Sequence, residues 1–179
     1  MADDFVTVER EGRMRADVGG GLRGPESLRV AARLPEHPEV EIRARVALVA
    51  GVYEVVELTL RSQPAGRAVP AEVLRQLPMR TLVRRSVGPL LRSLNLGQVI
   101  APPSGQGRGD DETLLRNTAQ FFRIARVLGE PPTQEVARRF RVSRATASRR
   151  VAAARRAGYL RTDEVGAGGG PRSRLSNGS

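Results

Sequence analysis

The stretch that most constrains this chain runs from Pro132 through Thr133 to Leu160, PTQEVARRFRVSRATASRRVAAARRAGYL. Its apolar residues form two groups at helical three-four spacing. Val136, Ala137 and Phe140 make the first, Ala147, Val151 and Ala154 the second, and only Arg141, Val142 and Ser143 lie between. Such spacing puts each group on one face of a helix. Two short helices joined by so tight a turn must bury those faces against each other and against a third element. Thr133 reads as the N-cap of a helix over Gln134 to Phe140, and Ser143 as the N-cap of the next. A hydroxyl there accepts one of the orphan amides of the first turn. Ala137 suits a close helix–helix approach, and Val142 reads as a buried plug in the turn.

The preceding residues supply the third element. From Asp111 or Thr113 to Leu128, the residues Leu115, Thr118, Ala119, Phe122 and Ala125 keep to one helical face, widened by Phe121, Ile124 and Leu128. Gly129 fits a C-terminal stop, and Pro131-Pro132 prevents continuation.

Charge singles out the same region. Residues 113–161 hold 12 Arg against Glu130 and Glu135, whereas residues 1–112 hold 16 Arg against 15 acids and residues 162–179 are neutral. Nearly all of the formal net charge of +11 thus sits in one module. Concentrated positive charge suits a polyanion, because neutralising phosphates releases counterions. All 30 basic residues are Arg, a bias of the whole chain that marks no particular site.

Arg144, Ala145, Thr146, Ser148 and Arg149 face outward on the first turns of the last helix. Those turns enter a major groove when a helix docks by its N-terminal end. Arg can fork onto guanine, Ser and Thr can bond bases, and Ala145 can meet a thymine methyl. Thr133, Arg138, Arg139, Arg141, Ser143 and Arg155 are placed for the DNA backbone. Arg141 stands in the turn, where a left-handed backbone would cost a residue with a side chain roughly 1 kcal/mol or more. Arg150 falls where an apolar residue usually points inward, so it must snorkel out or bond something.

The rest of the chain reads as support. Residues 1–26 are expected to be flexible or partly stranded, with a short strand near Phe5, Val6 and Val8. Gly19 to Gly24, GGGLRG, formally matches a dinucleotide-binding loop, but no apolar strand precedes it and Pro25-Glu26-Ser27 follows, so a flexible loop is expected. Val40 to Val46 alternates apolar and polar residues, and Val52 to Leu60 is rich in β-branched residues, which predicts a hairpin turning at Ala50-Gly51. Leu28 to Ala32 is a further candidate strand. A short helix follows Pro70, and a longer one over Thr81 to Leu94 is interrupted or kinked at Gly88-Pro89. The expected fold class is α+β: an N-terminal hairpin plus two helices over residues 27–96, a linker over 97–112, a tri-helical module over 113–161 and a disordered tail over 162–179.

Chemistry finds little foothold. Without Cys there is no disulfide, thiolate ligand or sulfur nucleophile, and the lone His37 lies between prolines in an expected loop, exposed and idle. No paired carboxylates stand at catalytic spacing, so an enzyme, a metal site and a small-molecule cofactor are not expected. The N-terminus MADDFVTVER lacks the apolar core of a signal peptide, and no apolar run reaches membrane-spanning length. A cytoplasmic, nucleoid-associated protein is expected.

The pattern Ala119, Phe122, Ala125, Gly129, Pro132, Val136-Ala137, Phe140, Val142-Ser143, Thr146-Ala147, Val151, Ala154-Arg155, Gly158, Leu160 resembles the helix-turn-helix domain of small DNA-binding proteins of actinobacteria and their phages and mobile elements. The segments VYEVVELTLRS and VPAEVLRQLPM are similar, more loosely, to the N-terminal part of such proteins. The resemblance implies sequence-directed binding of double-stranded DNA by a transcriptional regulator. Arg144, Ala145, Thr146, Ser148 and Arg149 would hold the reading positions. For such a regulator the N-terminal domain is expected to serve self-association, as a homodimer, or partner binding. The alternative is a structural, assembly or packaging protein of a mobile element that holds DNA or a protein partner with the same module. After Leu160 no strand pair follows, so no wing is expected.

Overall fold

The computed structural model describes residues 6–11, 13, 15–34, 36–77, 79–95 and 108–161. Residue contacts divide the chain into two compact units, residues 1–99 with 127–129 and residues 100–126 with 130–179.

In the first unit, β1 (Val6–Glu11) leads to a small hairpin of β2 (Ala16–Asp17) and β3 (Arg23–Gly24). Then come β4 (Ser27–Leu34), β5 (His37–Val49) and β6 (Val52–Ser62). The four long strands form one antiparallel sheet in the order β1-β4-β5-β6. The expected hairpin plus two helices is therefore corrected: the hairpin β5–β6 is half of a four-stranded sheet, accompanied by a separate two-stranded one. Its turn uses left-handed backbone at both Ala50 and Gly51, the geometry that matches strand twist in a two-residue loop. β1 pairs with β4 from Val6 opposite Ala32 to Glu11 opposite Ser27, a contact between segments about twenty residues apart.

Alternation explains the two faces. Leu28, Val30 and Ala32 of β4 pair with Val46, Ala44 and Ile42 of β5, and all six are buried. The intervening residues put Arg29, Arg43 and Arg45 on the opposite, exposed face. Two helices follow, α1 (Ala71–Gln76) and α2 (Met79–Asn95). Helix α2 contacts the sheet and β3, burying Leu82, Val83, Val87 and Leu91. It is one helix with Pro89 inside it, not two pieces broken at Gly88-Pro89.

The glycine-rich segment is corrected too. Gly19, Gly20 and Gly21 have positive φ in the turn between β2 and β3, which lets the flanking Val18 and Leu22 be buried. At Gly24 an added Cβ would stand 2.7 Å from both Leu91 Cδ2 and the Tyr53 hydroxyl, so only glycine fits beneath α2. Asn95 locks the same place: its side chain donates to the Arg23 carbonyl and accepts from the Arg23 amide, both at 2.7 Å. Tyr53 donates to the Pro25 carbonyl at 2.5 Å, and burial pushes its phenol pKa well above the ordinary value. His37 opens β5 half-buried, 3.4 Å from Glu39 Oε1, and is neither in a loop nor exposed.

The second unit holds α3 (Arg108–Val127) up to its last residue, α4 (Pro132–Phe140) and α5 (Arg144–Arg156). Helix α3 starts at Arg108, inside the segment expected to be linker. Residues 97–107 of that expected linker, and the expected tail 162–179, lie outside the described residues. The core joins Ala119 and Phe122 of α3, Val136 of α4, Ala147, Val151 and Ala154 of α5, and Leu160. All three helices close in the same way. The amides of Glu130, Val142 and Tyr159 reach back five residues to the carbonyls of Ala125, Ala137 and Ala154, and Gly129, Arg141 and Gly158 before them are left-handed.

Among the described residues, no helix is long and apolar enough to cross a membrane.

Candidate nucleic-acid interface

The surface of interest is the outer side of α5. Ser143 adopts extended backbone and accepts a hydrogen bond from the Thr146 amide at 3.1 Å, capping the helix as its sequence position predicts. Ala147, Val151 and Ala154 then turn inward. Helical geometry of 100° per residue sets Ala145, Ser148, Arg149, Ala152 and Arg156 on the opposite side, and all five are exposed. Arg144 flanks this stripe at the first turn, also exposed. Among the described residues, Arg141, Arg144, Arg149 and Arg156 have no acidic or hydrogen-bonding partner. Small residues alternate with these guanidinium groups, so the helix can approach a surface closely while long side chains reach past its edges.

Thr146 differs from its expected role. It is half-buried, and its hydroxyl lies 3.0 Å from Ser143 Oγ, so the hydroxyl serves the cap before it can serve a ligand. Ala152 extends the stripe past the positions expected to read bases, and Arg156, expected further along toward the DNA backbone or solvent, lies on it as well. They stand seven residues after Ala145 and Arg149, two helical turns along the same stripe.

The residues expected beside the DNA backbone separate into groups. Thr133 is not an N-cap: α4 begins at Pro132, its N-cap is Pro131, and no side chain caps it. Proline fits there because its missing amide would have no helical partner. Arg138 and Arg139 both bond the Glu135 carboxylate, Arg139 Nε at 2.7 Å to Oε1 and Arg138 Nε at 2.8 Å to Oε2. The Glu135 side chain is only 8% exposed. Burial pushes its pKa up, but the hydrogen bonds and charges of Arg139 and Arg138 outweigh burial and hold it below the ordinary value. These two arginines are therefore half-neutralised and held against α4.

Arg141 is the left-handed residue that ends α4, with φ 51° and ψ 44°, and its side chain is exposed. Arg155 lies over the Phe122 ring at 5.3 Å, sealing the core edge instead of standing free. Arg150, placed by its spacing near the interior, stacks over Phe140 at 5.0 Å. Phe140 meets Phe121 edge-on, with ring centroids 5.5 Å apart. Arg123 donates to the Tyr159 carbonyl at 2.7 Å, tying the end of the unit to α3.

Five of the expected positions thus come together on one exposed edge: Arg144, Ala145, Ser148 and Arg149 on α5, with Arg141 in the turn before it. Arg138, Arg139 and Arg155 are occupied in the structure of the unit itself, and Thr133 lies half-buried in the first turn of α4 without capping it. Among the described residues, no cluster of three or more His, Asp or Glu could hold a metal.

Comparison with protein-family models, with curated proteins and with solved structures finds no match to this chain.

Proposed function

We propose that this protein binds double-stranded DNA by seating the first turns of α5 in a major groove. The observation that carries the reading is the set of exposed arginines, Arg141, Arg144 and Arg149, at the start of a capped helix with no acid facing them among the described residues. A guanidinium left unpaired in water readily exchanges hydration for phosphate or guanine, and its planar fork matches both. Ala145 and Ser148 between them allow the backbone to come close to base edges. The regional charge supports the same partner, since residues 113–161 carry nearly all of the net +11.

Within this reading Arg144, Ser148 and Arg149 contact bases, Ala145 packs on a thymine methyl, and Arg141 and Arg156 contact phosphates. Thr146 is withdrawn from base contact, because its hydroxyl is committed to the cap. Regulation of transcription is the biological role that fits such a module, because one helix in one groove provides recognition without chemistry.

Selection of bound sequences from random duplexes, repeated at two salt concentrations, tests this. A consensus that survives the higher salt supports groove reading. Binding that shows no consensus and vanishes with salt reduces the module to a phosphate holder.

A further inference from the structure

Strand β6 is an edge. The order β1-β4-β5-β6 leaves its outer side without a neighbouring strand among the described residues, over the 11 residues Val52–Ser62. Such an edge presents backbone donors and acceptors that another strand can pair with. The side chains of β6 say which strand fits.

Glu57, Thr59 and Arg61 pair across to Arg45, Arg43 and Glu41 of β5, which places them on the outer, charged face of the sheet. Leu58 and Leu60 pair with Ala44 and Ile42, which places them on the apolar face. Ala44 and Ile42 are buried, but Leu58 and Leu60 are only half-buried, at the edge where no strand of the described residues pairs beyond them. The irregularity in the β5–β6 ladder lies between Arg45 and Val46, opposite Glu57 and Val55, so residues 57–61 are regular strand.

We infer that β6 pairs antiparallel with β6 of a second copy of this chain, centred on Thr59. In that register each Glu57 faces the partner's Arg61, each Leu58 faces the partner's Leu60, and Thr59 faces its own counterpart. Two-fold symmetry makes the Glu57–Arg61 and Leu58–Leu60 contacts twice, and the Thr59 pair lies on the axis. Centring the pair on Glu57 or on Arg61 would set like charges opposite each other, which disfavours those registers. The joined sheets are continuous, and the half-exposed leucines close over one another across the axis. The inference uses only residues of the sheet and does not rest on DNA binding, although a dimer would supply a second copy of α5.

The test is sedimentation of the full chain without nucleic acid. The wild-type chain is expected to dimerise with concentration. Glu57→Arg alone and Arg61→Glu alone should each weaken dimerisation roughly tenfold or more, since each places two like-charge pairs across the axis. A one-to-one mixture of the two variants should regain the dimer, because each supplies the charge the other lacks. Circular dichroism checks that both variants keep the fold. The chain has no Cys, so single cysteines report the register directly. Thr59→Cys should oxidise to a linked dimer. Arg61→Cys should not, because its two copies would lie about 13 Å apart, beyond disulfide reach. A monomeric wild type, single variants that dimerise normally, a mixture that stays monomeric, or equal cross-linking of the two cysteine variants would each overturn the pairing.

Discussion

On the outer face of the sheet Arg43 lies 3.0 Å from Glu41 and Arg45 lies 3.4 Å from Glu57, whereas on the outer side of α5 Arg144, Arg149 and Arg156 face no acid among the described residues. The residue type is the same, and so is the exposure. What differs is the company. In the sheet, cross-strand and alternate-residue neighbours bring glutamate beside arginine on one face. On α5 the stripe is made of Arg, Ser and Ala, so its charge stays available to a partner. Even within the three-helix unit the contrast recurs, since Arg138 and Arg139 on α4 share the carboxylate of Glu135. Net charge alone does not mark a binding surface. Unmatched charge on an ordered, closely approachable edge is the better indicator.

That comparison depends first on the three-helix unit being held by its own core. Phe122, 2% exposed, joins α3 to α5 there. Phe122→Ala should destabilise this unit by about 3–5 kcal/mol, read by urea unfolding. A loss below about 1 kcal/mol would mean that the cluster does not hold the three helices together.

The next effect tests whether α5 is ordered at its exposed end. Ser143→Ala removes the hydroxyl that accepts the Thr146 amide and should destabilise the unit by about 1 kcal/mol. It should also free the Thr146 hydroxyl, so a variant that binds DNA more tightly would show that the cap competes with the ligand.

The pairing of Arg138 and Arg139 can be dissolved with acid. Glu135 has a folded pKa below its ordinary value of about 4.3. Its contribution to stability is therefore fully present above that value and is lost as pH falls through the lowered one. Wild type and Glu135→Gln should differ in stability at neutral pH and converge as pH drops below about 4. A gap that stays constant with pH would remove ionic pairing as its cause.

The smallest effect concerns the turn. Arg141 holds a left-handed conformation that glycine adopts without strain. Arg141→Gly should leave the unit as stable or up to about 1 kcal/mol more stable, while removing one unmatched charge. A clear destabilisation would mean that the side chain makes contacts that its exposure conceals.

How much of this was legible in the sequence follows from how local each feature is. The helices of the three-helix unit, the cap at Ser143 and the turn at Arg141 to Ser143 are local and were readable from spacing alone. The sequence puts the start of α4 two residues late, because a hydroxyl at Thr133 looks like a better cap than a proline, yet Pro132 fits the first helical position. The β5–β6 hairpin was readable because a two-residue turn joins its strands. The full sheet was not, because β1 finds β4 only through pairing across an intervening hairpin, and no local pattern announces a distant partner. The GGGLRG segment misled for a related reason: its glycines look like a loose loop until Val18 and Leu22 are seen buried beneath it. On the candidate site, outward direction was readable from helical period. That Thr146 serves its own cap, and that Arg155 and Arg150 lie over rings, was not readable, since these depend on side-chain contacts.

The most direct test measures the affinity of the full chain for its selected duplex and for a scrambled duplex, with and without Arg144→Ala and Arg149→Ala. Each substitution should weaken the selected complex by about 1–3 kcal/mol and the scrambled complex by much less, while Arg43→Ala in the sheet changes neither. Equal losses on both duplexes, or an Arg43→Ala loss as large as that of Arg149→Ala, would contradict the assignment of the reading surface to α5.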